Sequence, residues 1–199
     1  MKTRGRIVML VMTALCVCFP VKAQFGEQAW GGGVMFGWDF GMTGLKDDEA
    51  RLHARAFIRH GIIDHIQAEA GFGLGGIAGS GTPAISKYST ELMPVDLRLI
   101  INPFTWQSAV PYVFGGGGFV HKRITHFPFE APVNAKSEEW IAYVPAGVGL
   151  MANLQEHVYL DMSASYNYTF SKKLTGVASS TEDAFLTFLI GVSVSFGRQ

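Results

Sequence analysis

Residues Ala184–Phe196 read AFLTFLIGVSVSF, and this stretch decides the fold. Its even positions are Ala184, Leu186, Phe188, Ile190, Val192, Val194 and Phe196, all apolar. Between them stand Phe185, Thr187, Leu189, Gly191, Ser193 and Ser195. A period of two means a β-strand with one face in an apolar medium and the other in a more polar or crowded one. The pattern recurs about eight times along the chain. The expected fold is therefore all-β: an eight-stranded antiparallel up-and-down transmembrane β-barrel.

The upstream strands read the same way. In residues 28–41, Trp30, Val34, Phe36, Trp38 and Phe40 share one face, and Gly31, Gly33, Met35, Gly37 and Asp39 the other. In 51–60, Leu52, Ala54, Ala56 and Ile58 point out while Arg51, His53, Arg55, Phe57 and Arg59 point in. After a turn at 61–64, residues 66–75 put Ile66, Ala68, Ala70, Phe72 and Leu74 outward, with Gln67 and Glu69 inward. Further strands are expected at 93–101 (Asp96 and Arg98 inward), 111–121, 139–151 and 158–168 (Tyr159 and Asp161 inward). Connections near Gly61, Asn102 and Asn153 are brief. Those at 43–50, 79–89, 122–138 and 171–182 are longer and polar, the alternation of outer-membrane barrels. Trp30, Phe40, Phe104, Trp106, Trp140, Tyr168, Phe170 and Phe196 gather near strand ends, as interfacial girdles do. A soluble lipocalin-type barrel would turn its non-apolar face to water. Here that face is rich in glycine, which suits a narrow, crowded interior instead.

Residues 1–23 read as a secretory leader. Lys2, Arg4 and Arg6 precede an apolar run at 7–19, and Val21-Lys22-Ala23 supplies a cleavage site. The run is too short for a spanning helix, which needs roughly 20 residues. Cys16 and Cys18 are the chain's two cysteines, so the remaining domain, 24–199, has no thiol for a disulfide or a metal. Without the leader, 12 basic residues stand against 16 acidic ones, a formal charge of −4. A mildly acidic chain without basic clusters points away from nucleic acid.

The leader, the eight strands and the ending Gly191-x-x-Val194-x-Phe196 resemble the small outer-membrane β-barrels of Gram-negative bacteria, of the OmpA/OmpX/OmpW-like kind. The terminal pattern is similar to the signal read by the barrel-assembly machinery, although Gly197-Arg198-Gln199 follows the phenylalanine. The resemblance implies a bacterial outer-membrane location, outer-membrane lipid as surroundings, the assembly machinery as a partner in biogenesis, and no cofactor. The family includes structural proteins, adhesins, small conduits and lipid-modifying enzymes, so the fold leaves the role open.

The inward charges Arg51, Arg55, Arg59, Glu69, Asp96, Arg98 and Asp161 form the main constellation. An unpaired charge in a low-dielectric lumen costs several kcal/mol, so these residues are expected to pair as an ionic plug. A turn centred near Ile62 places Arg55 opposite Glu69. A polar pathway is the alternative use of the same groups. His157, Asp161 and Ser163 suggest a triad, but His157 and Asp161 are roughly 13 Å apart along one strand, so no catalytic residue is assigned. His121 and His126 have no clear third metal ligand, and no metal site is assigned. Gly115–118 lacks the Lys-Ser/Thr of a phosphate loop. Asn167-Tyr168-Thr169 matches a glycosylation sequon of little weight in a bacterial membrane strand. Phe127, Pro128 and Phe129 put an apolar tip on the longest loop and are the candidate interaction residues, toward an extracellular or envelope partner the sequence does not name. The expected role is structural or surface-interactive. A narrow conduit for small or hydrophobic molecules is the alternative, with a lipid-modifying enzyme behind it.

Overall fold

A strand by itself leaves its backbone N–H and C=O groups without partners, and the chain solves this by closing its strands on themselves. A computed structural model describes residues 29–42, 48–79, 88–103, 109–126, 138–171, 174 and 183–196. The expected leader, Phe104, Trp106, the Phe127-Pro128-Phe129 triplet and residues 197–199 lie outside them. Eight long strands are β1 (Trp30–Met42), β3 (Arg51–Ile63), β4 (Ile66–Gly79), β5 (Tyr88–Ile101), β6 (Ala109–His126), β7 (Glu138–Gln155), β8 (Val158–Thr169) and β9 (Ala184–Phe196). The short β2 (Asp48–Glu49) adds to β4 within what the sequence reads as a solvated loop.

Neighbours in sequence pair antiparallel, and β1 meets β9 from Trp30↔Phe196 to Met42↔Ala184, so no long strand is left with an open edge. Following the pairings once around returns about ten residues along β1, and eight strands with that stagger tilt by about 40° around a radius of about 8 Å. A bore that narrow holds side chains and little else.

The outer face is a continuous apolar belt. Leu52 is 76% exposed, Leu97 68% and Phe36 61%, with Val34, Val95, Phe119, Val148, Ile190 and Val192 among the rest. No water-soluble surface carries so much contiguous apolar area, so this belt faces lipid. Trp30 and Phe196 border it at one end, Trp140 and Phe170 at the other. Tight turns at Asp64-His65 and Glu156-His157 mark the first end as periplasmic by the polarity of this fold.

Several expectations need correction. The strands outlast the sequence reading because they continue beyond the apolar belt, where alternation fades. Thus Lys122–His126 and Glu138 belong to β6 and β7 rather than to the expected loop at 122–138. There Lys122 Nζ lies 3.4 Å from Glu139 and Arg123 Nε 2.8 Å from Glu138. The β3–β4 turn is centred nearer Asp64 than Ile62, so Glu69 stands opposite Arg59 and Arg55 opposite Gly73. The turn after β7 falls at Glu156-His157, past a bulge between Asn153 and Gln155.

Candidate functional site

The interior is layered. Toward the periplasmic end Ala29, Ile100, Val110, Tyr112, Phe114, Met151 and Tyr159 form one buried apolar cluster. Toward the extracellular end Ile77, Tyr88, Leu92, Val120, Ile141, Tyr143, Leu174 and Phe185 form another. Met35, Phe57 and Leu189 pack between them. The charged residues occupy this middle level.

Six of the seven predicted charges meet there. Asp96 accepts from Arg55 Nη1 at 2.8 Å and Nη2 at 2.7 Å, and from Arg98 Nε at 2.8 Å. Glu69 accepts from Arg55 Nη2 at 2.9 Å and from Arg59 Nη2 at 2.7 Å. Arg59 Nη2 also reaches Asp161 at 3.1 Å. Three guanidinium groups thus face three carboxylates, and the network is formally neutral. Breaking such a buried set by removing one member strands a charge, which is the costly event. The seventh, Arg51, is exposed at the extracellular end of β3 and donates to Ser89 Oγ at 3.2 Å, so it stands outside the network.

Two tyrosines tie the ionic level to the apolar clusters. Tyr112 Oη donates to Asp161 at 2.6 Å, and Tyr143 Oη donates to Asp96. Each sends its ring into its own cluster and its hydroxyl into the network. The guanidinium carbon of Arg59 stacks 4.8 Å from the Phe57 ring, and that of Arg98 4.8 Å from Phe114. Glycine makes the room for these groups. A Cβ on Gly71 would overlap the Arg55 guanidinium, and one on Gly149 would overlap the Tyr112 ring. The inward glycines are therefore the complement of the large inward side chains.

A second polar group, which the sequence reading did not assemble, lies beside the network. Buried Asp39 sits 2.7 Å from His53 Nδ1 and accepts from Thr187 Oγ1 at 2.6 Å and from the Gly76 amide at 3.2 Å. Asn167 Nδ2 donates to Thr187 Oγ1 at 3.0 Å, so the sequon asparagine is an interior group. Inward parity alone marks Asp39 and His53. Nothing local shows that they meet Thr187, which is 148 positions from Asp39.

The other candidates do not converge. His157 is exposed in the β7–β8 turn, not inward as expected, whereas Asp161 is spent on Tyr112 and Arg59. The turn begins three residues later than expected, at Glu156 rather than Asn153, which carries His157 out of the strand's alternation. His121 turns outward and stacks on Trp140 at 5.0 Å, and the side chain of His126 is outside the described residues. No cluster of His, Cys, Asp or Glu that could hold a metal occurs among the described residues. Gly115–118 lies mid-strand in β6, with Gly116 and Gly118 close against the β5 backbone. At the end of β9, Val194 and Phe196 face lipid at 43% and 55% exposure, while Gly191 pairs with Met35 of β1 and Asp161 of β8.

Neither a protein-family model nor a curated protein sequence matches the chain. Its fold is similar to that of solved outer-membrane barrels. Neisserial surface protein A aligns with a TM-score of 0.60 and 13% identity, over 85% of this chain and 100% of that one. The N-terminal β-barrel domain of Pseudomonas aeruginosa OprF aligns at 0.54 and 14% identity, covering 86% and 99%. Ail, the attachment invasion locus protein of Yersinia pestis, aligns at 0.53 and 12% identity, covering 85% and 99%. The chain therefore has the fold of the small eight-stranded outer-membrane β-barrels. With its lipid-facing belt, it is an integral outer-membrane β-barrel protein.

Proposed function

We propose that this protein is a structural and surface-interacting element of the bacterial outer membrane: a sealed barrel that anchors its extracellular connections in the lipid. The observation that carries this reading is the interior ionic network. Arg55, Arg59, Arg98, Glu69, Asp96 and Asp161 cross the bore at mid-height, joined to apolar clusters above and below by Tyr112 and Tyr143. A neutral layer of paired charges between two apolar clusters offers no continuous water column. Barrels of this fold also present ligand surfaces: Ail has been crystallised with the heparin analogue sucrose octasulfate. In this chain the residues put forward for surface contact are Phe127, Pro128 and Phe129, facing a protein of the envelope or of another cell. Gly191, Val194 and Phe196 would serve recognition by the assembly machinery.

The test has two arms. Purified protein in planar bilayers should show almost no steady conductance, and robust solute flux through it would overturn the sealed-barrel reading in favour of a conduit. Excision of residues 127–137 should leave a folded barrel that no longer adheres to the cells or envelope proteins retained by the intact protein. Undiminished adhesion would move the interaction surface elsewhere.

A further inference from the structure

Three polar side chains at the periplasmic end of the bore are buried and bond to nothing among the described residues. Gln67 of β4 is 0% exposed, Asn102, just past β5, 1%, and Ser193 of β9 0%. Both ends of each carboxamide, Gln67 Nε2 and Oε1 and Asn102 Nδ2 and Oδ1, lack a hydrogen-bond partner, and so does Ser193 Oγ. The backbone that carries them is fixed. Gln67 pairs with Gly61 and Ile100, the Asn102 amide donates to the His65 carbonyl at 2.9 Å, and Ser193 pairs with Tyr159 and Gly33. Asn102 is thus the diagonal neighbour of Gln67, about 7–8 Å away. The stagger of the barrel carries Ser193 to the same height across the bore. Ile100, Val110 and Met151 of the periplasmic cluster lie at this level, and Arg59, Glu69 and Asp161 bound it on the extracellular side.

We propose that Gln67, Asn102 and Ser193 form a binding site for a small, uncharged molecule that carries an N–H group beside a C=O group, an amide or a urea. Buried donors and acceptors are nearly always paired, so a group of unpartnered ones at one level marks where a partner belongs. A few convergent polar groups among apolar walls are also the usual makeup of a small-molecule site. The chemistry of the lining selects the guest. A carboxamide presents N–H and C=O side by side, so its complement, through two parallel hydrogen bonds, is another amide. The Ser193 hydroxyl can donate or accept a further bond. A charged guest is disfavoured because the charges at this level already hold one another: Arg59 Nη2 lies 2.7 Å from Glu69 and 3.1 Å from Asp161. The narrow bore limits the guest to a few heavy atoms. That the site is closed toward the cell exterior rests on the sealed-barrel reading.

The probe is acetamide, titrated into the protein folded in lipid nanodiscs, with side-chain NH2 resonances as readout. Gln67 and Asn102 report the site, identified by the signals that Gln67→Leu and Asn102→Leu remove. Asn167 is the internal control, since its amide already donates to Thr187 and to the Phe185 carbonyl. Saturable shifts at Gln67 and Asn102, with none at Asn167, are expected. Acetone, which matches acetamide in size but has no N–H, should bind at least tenfold more weakly. Ser193→Ala should raise the acetamide midpoint about fivefold, the worth of one neutral hydrogen bond. Shifts that never saturate, or equal midpoints for acetone and acetamide, would overturn the proposal. So would a direct hydrogen bond between the two carboxamides in the native protein, or water contacts at both that acetamide does not displace. Should Ser193→Ala fail to fold, the comparison of acetamide with acetone on the native protein decides. Bilayer conductance reads the ionic network separately, so failure of the sealed barrel and failure of this site are distinguishable.

Discussion

Arg55 is the residue on which the interior depends most, since its guanidinium serves two carboxylates at once, Glu69 at 2.9 Å and Asp96 at 2.7 Å. Replacing it by alanine leaves both acids short of a partner and should cost roughly 3 kcal/mol or more in urea unfolding from detergent. Arg55→Ala combined with Asp96→Ala should cost less than the two single changes added, by about 1 kcal/mol or more. Additive costs would mean that the bond between them contributes nothing. Tyr143→Phe keeps the ring in the extracellular cluster and removes only the hydroxyl that Asp96 accepts. A loss of about 1–3 kcal/mol is expected, because the donor goes to a charged group. No measurable loss would show that Arg55 and Arg98 satisfy Asp96 unaided.

Along a single strand the decisive property is depth. On β5, Glu91 and Leu97 share outward parity, but Glu91 lies near the extracellular end and Leu97 in mid-belt. Arginine at position 97 should destabilise the barrel by roughly 2–4 kcal/mol, while Glu91→Arg should cost no more than about 1 kcal/mol. Equal costs at both positions would contradict the placement of the bilayer. The same reasoning explains why strand ends escaped the sequence reading. Beyond His121 the next outward position is the charged Arg123, so the apolar alternation ends, yet the backbone ladder continues: Arg123 pairs with Glu138 of β7, and Ile124 and His126 pair with Thr90 and Ser89 of β5. A hydrophobic period reports where lipid is, not where hydrogen bonding stops.

For the whole molecule, closure is what matters. The β1–β9 seam turns a curled sheet into a cylinder that leaves no long strand with an open edge in the lipid. The protein should fractionate with outer membranes and migrate faster on gels unheated than boiled, as a closed barrel resists detergent unfolding. Recovery as a soluble periplasmic species, or one mobility under both conditions, would refute the transmembrane barrel. The predicted plug and its layering are also properties of the closed form. Arg59 and Asp161 are 102 positions apart and become neighbours only when the cylinder is complete.

Much of this was legible in the chain itself. Parity is a local property, so Arg55, Arg59, Glu69, Asp96, Arg98 and Asp161 could be assigned to the interior from spacing alone, and the lipid belt with them. Register is not local. It depends on where each turn closes, and a shift of turn centre by about two residues puts Arg59 rather than Arg55 across from Glu69. The layering was likewise hidden, because the stagger around the barrel decides which inward residues share a height. Tertiary structure alone joined Asp39 to His53 and Thr187, and brought Leu174 from a connection into an apolar cluster built by strands. The physical division is simple: periodicity tells a side chain which way it faces, and only closure tells it whom it meets.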